Sequence, residues 1–123
     1  MPQNSGVNKV ILLGTVLTQP RCNSYVDIKE EYAFTLVTSE LIDRKEGPTE
    51  HLEYHNIILP DRFMPLNFEL KKGITVYIEG KIQTINWIDD ARVRRYKTEI
   101  VAQHMRCVNN TLQVQNTDER IVS

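Results

Sequence analysis

The sequence has few cysteines that could form disulfide crosslinks, and it has no long apolar segment that could anchor it in a membrane. It contains only two cysteines, Cys22 and Cys107, among 123 residues. So low a cysteine count is typical of a reduced compartment, and a disulfide scaffold is not expected. No apolar run is long enough to span a bilayer, and the first residues show no basic or arginine-rich targeting pattern. We therefore expect a cytoplasmic protein without a membrane segment.

Arrangements that carry out catalysis are also missing. No nucleophile–base pair, glycine-rich phosphate loop or carboxylate dyad stands out. His51 and His55 invite a metal interpretation, but four residues on a strand span about 13 Å, too far for two ligands of one ion. No cysteine or carboxylate completes a tetrahedral set with them. We therefore expect no enzymatic activity, no metal and no cofactor.

An overall excess of positive charge is absent as well. The net charge is −1 and the isoelectric point is about 6.3. The distribution is uneven, however: residues 27–61 carry nine acidic and three basic side chains, whereas residues 62–106 carry nine basic and five acidic ones. Because local charge rather than total charge attracts a ligand, the second half can supply a positive surface. Two ordinary solvated faces are the other interpretation of this pattern.

Hydrophobic residues are present in ordinary number and in strand-like order. They make up 41% of the chain, against 25% charged residues, which indicates one globular domain with its own core. Alternating or short apolar segments bounded by glycine, proline and polar residues predict strands. These strands lie at residues 8–16, 22–28, 32–38, 52–59, 74–87 and 96–103. The segment 22–28 alternates only weakly and is expected to be the hairpin partner of 32–38.

A short helix is predicted between the third and fourth of the five strong strands. Apolar residues at helical spacing indicate that it covers Phe63–Lys72. Pro65 fits its first turn, and Gly73 fits the position just after its end. Five strands with one helix in this gap predict an all-β fold, a five-stranded Greek-key barrel of the OB type.

Several details of the strands are also expected from the pattern. Gly14 and Gly80 lie inside strands, as a barrel requires where strands bend or approach closely. The charged segment 44–50 (RKEGPTE) is expected to be a mobile loop because of its Gly-Pro break. One face of the strand 74–87 is apolar at every second residue and is predicted to point into the core: Val76, Ile78, Gly80 and Ile82.

The end of that same strand carries the strongest functional signal. Trp87 lies on the face opposite the apolar set, and the turn after it holds Arg92, Arg94 and Arg95. Lys81 adds a further base on the Trp87 face. A flat aromatic ring beside several cations meets both requirements for holding a single strand, because bases stack on the ring and phosphates pair with the cations. The sequence therefore predicts a surface for single-stranded nucleic acid.

Five collinear segments resemble the bacterial and mitochondrial single-stranded DNA-binding protein family: NKVILLG, TLVTSE, EYHNIIL, KKGITVYIEGKIQT and RRYKTEIVA. The resemblance covers Val7–Cys107. It implies a flexible N-terminus at residues 1–6, an OB-fold DNA-binding domain at 7–107 and a short polar extension at 108–123. It also implies a nucleoid-associated homotetramer, or alternatively a dimer, that binds single-stranded DNA without sequence preference and protects it in replication, recombination or repair.

The resemblance implies roles for the residues that match the family's motifs. Trp87 and Tyr54 match base-stacking positions, and His55 matches a position at the subunit interface. Lys45, Arg62 and Lys72 match phosphate-facing bases. Together with the cations near Trp87, the predicted DNA-binding set is Trp87, Tyr54, Lys45, Arg62, Lys72, Lys81, Arg92, Arg94 and Arg95, with His55 as the oligomer residue.

The chain also departs from the family's pattern. Ile42 stands where a stacking tryptophan is usual, and Pro60 stands where many members have phenylalanine. Two lost platforms would weaken binding by about 2–6 kcal/mol if nothing replaced them. The candidates for replacement are Tyr25, Tyr32 and Tyr77, although packing of the barrel is the commoner role of such tyrosines. The family's acidic tip with its terminal Pro-Phe pair is missing, so recruitment of replication proteins through a tail is not expected.

Two alternative functions remain open at the level of sequence. The opening VILLGTVLTQP also resembles primosomal replication-restart proteins of the OB type, and the missing acidic tip fits such an accessory DNA-binding factor. The third interpretation is a protein-interaction OB module without DNA activity. The nearly neutral charge and the missing aromatics favour it.

Overall fold

Long strands make up nearly all of the fold. The computed structural model describes residues 5–25 and 28–108. A 3₁₀ turn, Asp61–Phe63, follows the fourth strand, and no helix of the described part is long and apolar enough to cross a membrane. The strands are β1 (Val10–Val16), β2 (Arg21–Tyr25), β3 (Ile28–Arg44), β4 (Gly47–Pro60), β5 (Thr75–Ile88) and β6 (Arg94–Cys107).

The strands close into a barrel. Their order in the sheet is β1-β5-β6-β4-β3-β2, and β1 also pairs with β3, where Val16 lies opposite Leu36. This second pairing joins the two ends of the sheet, so five strands form a closed ring and β2 lies outside it as an edge strand. β4 and β6 run parallel, and the other pairs are antiparallel. The predicted all-β, five-stranded OB barrel is confirmed.

The interior of the barrel is filled by alternate apolar side chains from every strand of the ring. Because successive strand residues point to opposite faces, one apolar residue in two suffices to fill it. The prediction that Val76 and Ile78 belong to the core is confirmed. The fully enclosed set is Val16, Phe34, Leu36, Ile57, Leu59, Val76, Ile78, Ile100, Ala102 and Met105.

The hairpin of β5 and β6 extends well beyond the barrel. Pairing of β5 with β1 ends where Gly80 faces Val10, whereas pairing with β6 continues to Ile88 opposite Arg94. We call this projecting part, residues 81–97, the β5–β6 arm. The prediction that Ile82 lies in the core is therefore wrong: β1 no longer covers this position, and the side chain is 46% exposed.

The hairpin of β3 and β4 is also longer than the sequence indicated. The ladder continues until Arg44 lies opposite Gly47. The prediction of a mobile loop at 44–50 is wrong, because only Lys45 and Glu46 turn the chain and cross-strand pairs order the rest. Ser39, for example, donates to a Glu50 carboxylate oxygen at 2.7 Å. Gly47, at φ 117°, adopts a backbone conformation that favours glycine.

The predicted α-helix over Phe63–Lys72 is also wrong. After the 3₁₀ turn the segment continues through bends and turns. Asn67 has φ 55°, which a right-handed helix does not allow. Phe63, Phe68 and Leu70 pack against the core all the same. Their spacing therefore reflects a loop that covers one end of the barrel rather than one face of a helix.

Parts of the sequence-based description lie outside the described residues. Most of the N-terminal segment 1–6 and nearly all of the extension 108–123 belong there, as does the side chain of Tyr25. Cys22 and Cys107 are both free thiols.

Two glycines allow backbones to approach more closely than any side chain would. A Cβ built on Gly80 would lie 2.1 Å from the carbonyl oxygen of Val101, and one on Gly14 would lie 2.3 Å from that of Val37. Both distances are far inside van der Waals contact. The close approach expected at these two positions is therefore present, and at Gly80 it coincides with a register shift between β5 and β6.

We predict that Gly80→Ala lowers the free energy of unfolding by about 1–3 kcal/mol, because β5 and β6 must separate to admit a methyl group. Urea unfolding followed by circular dichroism measures the change. Gly6→Ala is the matched control, since a Cβ there meets no atom within 4 Å. Equal unfolding midpoints for the two variants would contradict the prediction.

Candidate nucleic-acid interface

The β5–β6 arm brings an aromatic ring and a cation onto one face. Trp87 lies directly opposite Arg95 in the ladder, and opposite residues of an antiparallel pair share a face with Cβ atoms about 5 Å apart. The Trp87 side chain is 44% exposed. The indole is therefore accessible to a ligand, and Arg95 is its cross-strand neighbour on the same face.

The tip of the arm is held by a network of hydrogen bonds. Asp89 Oδ1 accepts the amide protons of Ala91 and Val93, both at 2.9 Å. Its Oδ2 accepts from Arg95 Nε at 2.8 Å. The Val93 amide, together with the Arg95 guanidinium and the Ala91 amide, holds the pKa of Asp89 below its usual value. Asp89 is consequently ionised at neutral pH.

The remaining arginines of the predicted set lie at this same tip. Arg94 donates to the side-chain oxygen of Asn86 on the neighbouring strand. Arg92 occupies the turn itself with φ 62°. The structure thus brings Trp87 and all three predicted arginines into one region of the arm.

A cavity opens where β4 and β6 diverge. Its volume is about 420 Å³, and its walls include Tyr54 and Asn56 from β4 and Tyr96 and Lys97 from β6. The two tyrosines are well exposed, at 59% and 66%. Asn56 Nδ2 donates to the carbonyl oxygen of Thr98 at 3.3 Å, which ties the two strands together at this point.

A second cavity lies beside the first on the outer face of β3 and β4. It has a volume of about 240 Å³, and Asn56 and Lys97 line both cavities. Arg21 brings a second cation to it from the start of β2, and Thr18 and Thr35 add hydroxyl groups. We call the two adjoining cavities the groove. It combines exposed rings, amides and cations, the groups that contact bases and phosphates.

Four residues of the groove were missed by the sequence-based prediction: Arg21, Asn56, Tyr96 and Lys97. The alternation of Arg95 and Lys97 was a usable signal, since both fall on the Trp87 face of the arm. Arg21 and Asn56 offered none, because only the barrel brings β2, β4 and β6 together. Lys97 lies 4.0 Å from the buried carboxylate of Glu99.

The tyrosines proposed as replacements for the missing aromatics have other contacts. Tyr32 donates its hydroxyl to Asp61 at 3.2 Å, and burial with this bond raises the pKa of Tyr32 to about 12. The Tyr77 hydroxyl donates to Glu79, and the guanidinium carbon of Arg106 lies 4.9 Å from the Tyr77 ring centre. Neither ring lines the groove, whereas Tyr96 does.

The other predicted residues are spread over the surface. Lys45 lies at the tip of the β3–β4 hairpin, and Lys81 lies at the base of the arm opposite Val101. Arg62 belongs to the 3₁₀ turn, with its guanidinium carbon 4.6 Å from the Phe63 ring centre. Lys72 precedes β5, about 40 Å of extended strand away from Trp87. The structure does not bring Arg62 or Lys72 to the groove.

The position predicted at a subunit boundary is half-buried. His55 is hydrogen-bonded through Nε2 to the Thr38 hydroxyl at 2.9 Å, and it contributes to the larger cavity. Ile42 and Pro60, which replace the family's aromatics, are half-buried in the β3–β4 ladder.

Comparison with solved structures identifies proteins of the same fold. One is the complex of a Plasmodium falciparum SSB with single-stranded DNA, with TM-score 0.77 and 21% identity over 88% of this chain and 100% of that one. A deletion mutant of the Thermus aquaticus single-stranded DNA-binding protein has TM-score 0.73 and 21% identity over 85% of this chain. The match covers 51% of the Thermus chain. A small single-stranded DNA-binding protein from Streptomyces coelicolor has TM-score 0.63 and 15% identity, with 84% and 95% of the two chains covered.

Identities at this level support the barrel itself, and the sequence adds a second line of evidence. The model of the single-strand binding protein family matches residues 7–108. The matched range begins just before β1 and ends just after β6, so it contains the whole barrel, both hairpins and the groove. The chain therefore belongs to the single-strand binding protein family.

Proposed function

We propose that this protein binds single-stranded DNA without sequence preference and protects it in replication, recombination or repair. The observation that carries the proposal is the pairing of an exposed indole at Trp87 with Arg95 on one face of the arm. Membership of a family of non-enzymatic binding proteins supports it. The proposed activity is binding alone, with no covalent step.

The aromatic rings and the cations of the interface contact different parts of the nucleic acid. Aromatic stacking contributes about 1–3 kcal/mol per base and tolerates every base, because each base has a π-face. Trp87, Tyr54 and Tyr96 are the exposed rings suited to this contact, with Tyr96 on the face of the arm opposite Trp87. The cations supply phosphate contacts that do not depend on sequence. Tyr96 thereby offsets part of the stacking lost at Ile42 and Pro60.

We predict that Trp87→Ala weakens binding to a fluorescein-labelled oligo-dT by about 1–3 kcal/mol while the barrel stays folded. Fluorescence anisotropy measures the affinity, and circular dichroism checks the fold. Leu66→Ala is the control, since it removes an exposed apolar side chain from the loop before β5, away from the arm and the groove. Unchanged affinity for Trp87→Ala would remove the indole from the interface. Failure of the unaltered protein to bind at low salt would instead favour a protein-interaction module.

The salt dependence of binding tests the groove. Each phosphate neutralised on a single strand contributes about −0.7 to the slope of log affinity against log salt. We predict that Lys97→Met makes this slope less negative by about 0.7. Lys71→Met is the control, because Lys71 lies before β5 in a solvent-exposed pair with Glu69 at 3.8 Å. Equal slopes for the two variants would exclude a phosphate contact at Lys97.

We further propose that the protein acts as a homo-oligomer, with a tetramer favoured over a dimer. One face of β1 supports this, since Ile11 and Leu13 are each 57% exposed. They lie beside Glu79 and Tyr77 of β5. Exposed aliphatic side chains on an ordered sheet are typical of a surface that another chain covers. The predicted interface residue His55 lies elsewhere, so a second contact surface is part of this proposal.

We predict that Leu13→Glu shifts the mass measured by light scattering toward a smaller assembly, because burial of a carboxylate against a neighbouring chain is unfavourable. Leu66→Glu is the control, since Leu66 is equally apolar and even more exposed but lies in the loop before β5. A Leu13→Glu protein with the mass of the unaltered one would exclude this face of β1 as an interface.

A further inference from the structure

The tip of the β5–β6 arm is built around a single carboxylate. The amide of Asp89 donates to the Val93 carbonyl at 3.0 Å, and the amide of Arg92 donates to the Asp89 carbonyl at 2.9 Å. These bonds define a three-residue connection, Asp90 to Arg92, whose last residue is left-handed with φ 62°. Glycine or asparagine usually occupies that position, so an arginine there needs support from its surroundings.

The Asp89 side chain provides that support, and it also binds Arg95. Its Oδ1 accepts two amides at the turn, those of Ala91 and Val93. Its Oδ2 faces the other way and accepts Arg95 Nε at 2.8 Å. One oxygen thus stabilises the turn, and the other holds the guanidinium group of Arg95, the cross-strand neighbour of Trp87.

Holding Arg95 through Nε has a consequence for binding. Within residues 5–25 and 28–108 the bond leaves both terminal NH₂ groups of the guanidinium free to donate, and these are the groups that contact a phosphate. The side chain is 56% exposed. Without the carboxylate it would sample many rotamers, and binding would then have to order it.

We propose that Asp89 is a positioning residue for single-stranded DNA binding, which orients Arg95 beside Trp87 so that one nucleotide can stack on the indole while its phosphate contacts the guanidinium. The inference rests on the proposed function. It predicts a change in DNA affinity opposite in direction to the one that charge alone would give. Removal of a negative charge beside a phosphate chain should strengthen binding if only Coulomb attraction acts. Removal of Asp89 should weaken it.

Asp89→Asn separates the two tasks of the carboxylate. Asparagine keeps a side-chain oxygen for the turn amides, but its NH₂ group replaces the acceptor that Arg95 requires. Asp90→Asn is the matched control, because Asp90 is exposed and its side chain has no hydrogen bond or ion pair within residues 5–25 and 28–108. The two variants therefore change net charge equally, one residue apart.

We predict that Asp89→Asn weakens oligo-dT binding by about 2- to 10-fold, the effect of having to order one long side chain. Asp90→Asn should leave binding unchanged or strengthen it. The salt slope should stay the same for both variants, because Arg95 still contacts its phosphate once binding has ordered it. Binding by Asp89→Asn that is as tight as that by Asp90→Asn would overturn the proposal.

An Arg95→Met background tests whether the effect passes through Arg95. There, Asp89→Asn should cause no further weakening. A loss of the same size in both backgrounds would show that Asp89 acts through the turn alone, which overturns the positioning role. Arg95→Met leaves the Asp89 turn bonds in place, so it remains informative even if Asp89→Asn disturbs the tip. If the unaltered protein fails to bind oligo-dT, the proposed function fails with it, whereas any of the other results leaves that function intact.

Discussion

The close approach of β5 to β6 at Gly80 is the constraint on which the rest of the structure depends. At this residue β5 loses its partner β1, shifts register against β6 and continues outward as one side of the arm. The Val101 carbonyl fills the space of the missing side chain. The same point therefore ends the closed core and begins the exposed hairpin. Without the arm, Trp87 would have no place outside the barrel, and the groove would lack one wall.

The electrostatics of the interface depend on pairs rather than on surplus charge. A protein with a net charge of −1 does not attract a polyanion by long-range electrostatics. Two of the basic groups of the interface lie close to individual carboxylates, Arg95 to Asp89 and Lys97 to Glu99. Such pairing lowers the net positive potential, but the 2.8 Å bond to Asp89 also orients Arg95. We regard geometry, more than charge, as the source of the proposed affinity.

The misplaced elements have a common physical cause. The helix expected over Phe63–Lys72 and the core position expected for Ile82 were both inferred from apolar periodicity. Periodicity reports that a side chain meets other apolar groups, but not whether a helix, a loop or a groove wall presents it. In the barrel, Phe63 and Leu70 cover one end from a loop, while Ile82 lines an open cavity. The prediction of a loop at 44–50 is wrong for a different reason. Gly47 and Pro48 begin β4, and residues 47–50 pair with β3 in the same hairpin, so the Gly-Pro pair does not interrupt the strand.

Local pattern by itself determined the class of fold, the positions of the strong strands, the two glycines of close approach and the exposed indole at the end of β5. These depend on alternation and on residue type, which a linear chain carries. Tertiary structure alone decided which side chains form the groove. Arg21, Asn56 and Lys97 come from three strands distant in sequence, and they meet only because the sheet places β6 beside β4 and β2 beside β3. The partner of each cation was likewise decided by the fold, because strand register sets which carboxylate lies within reach of which base.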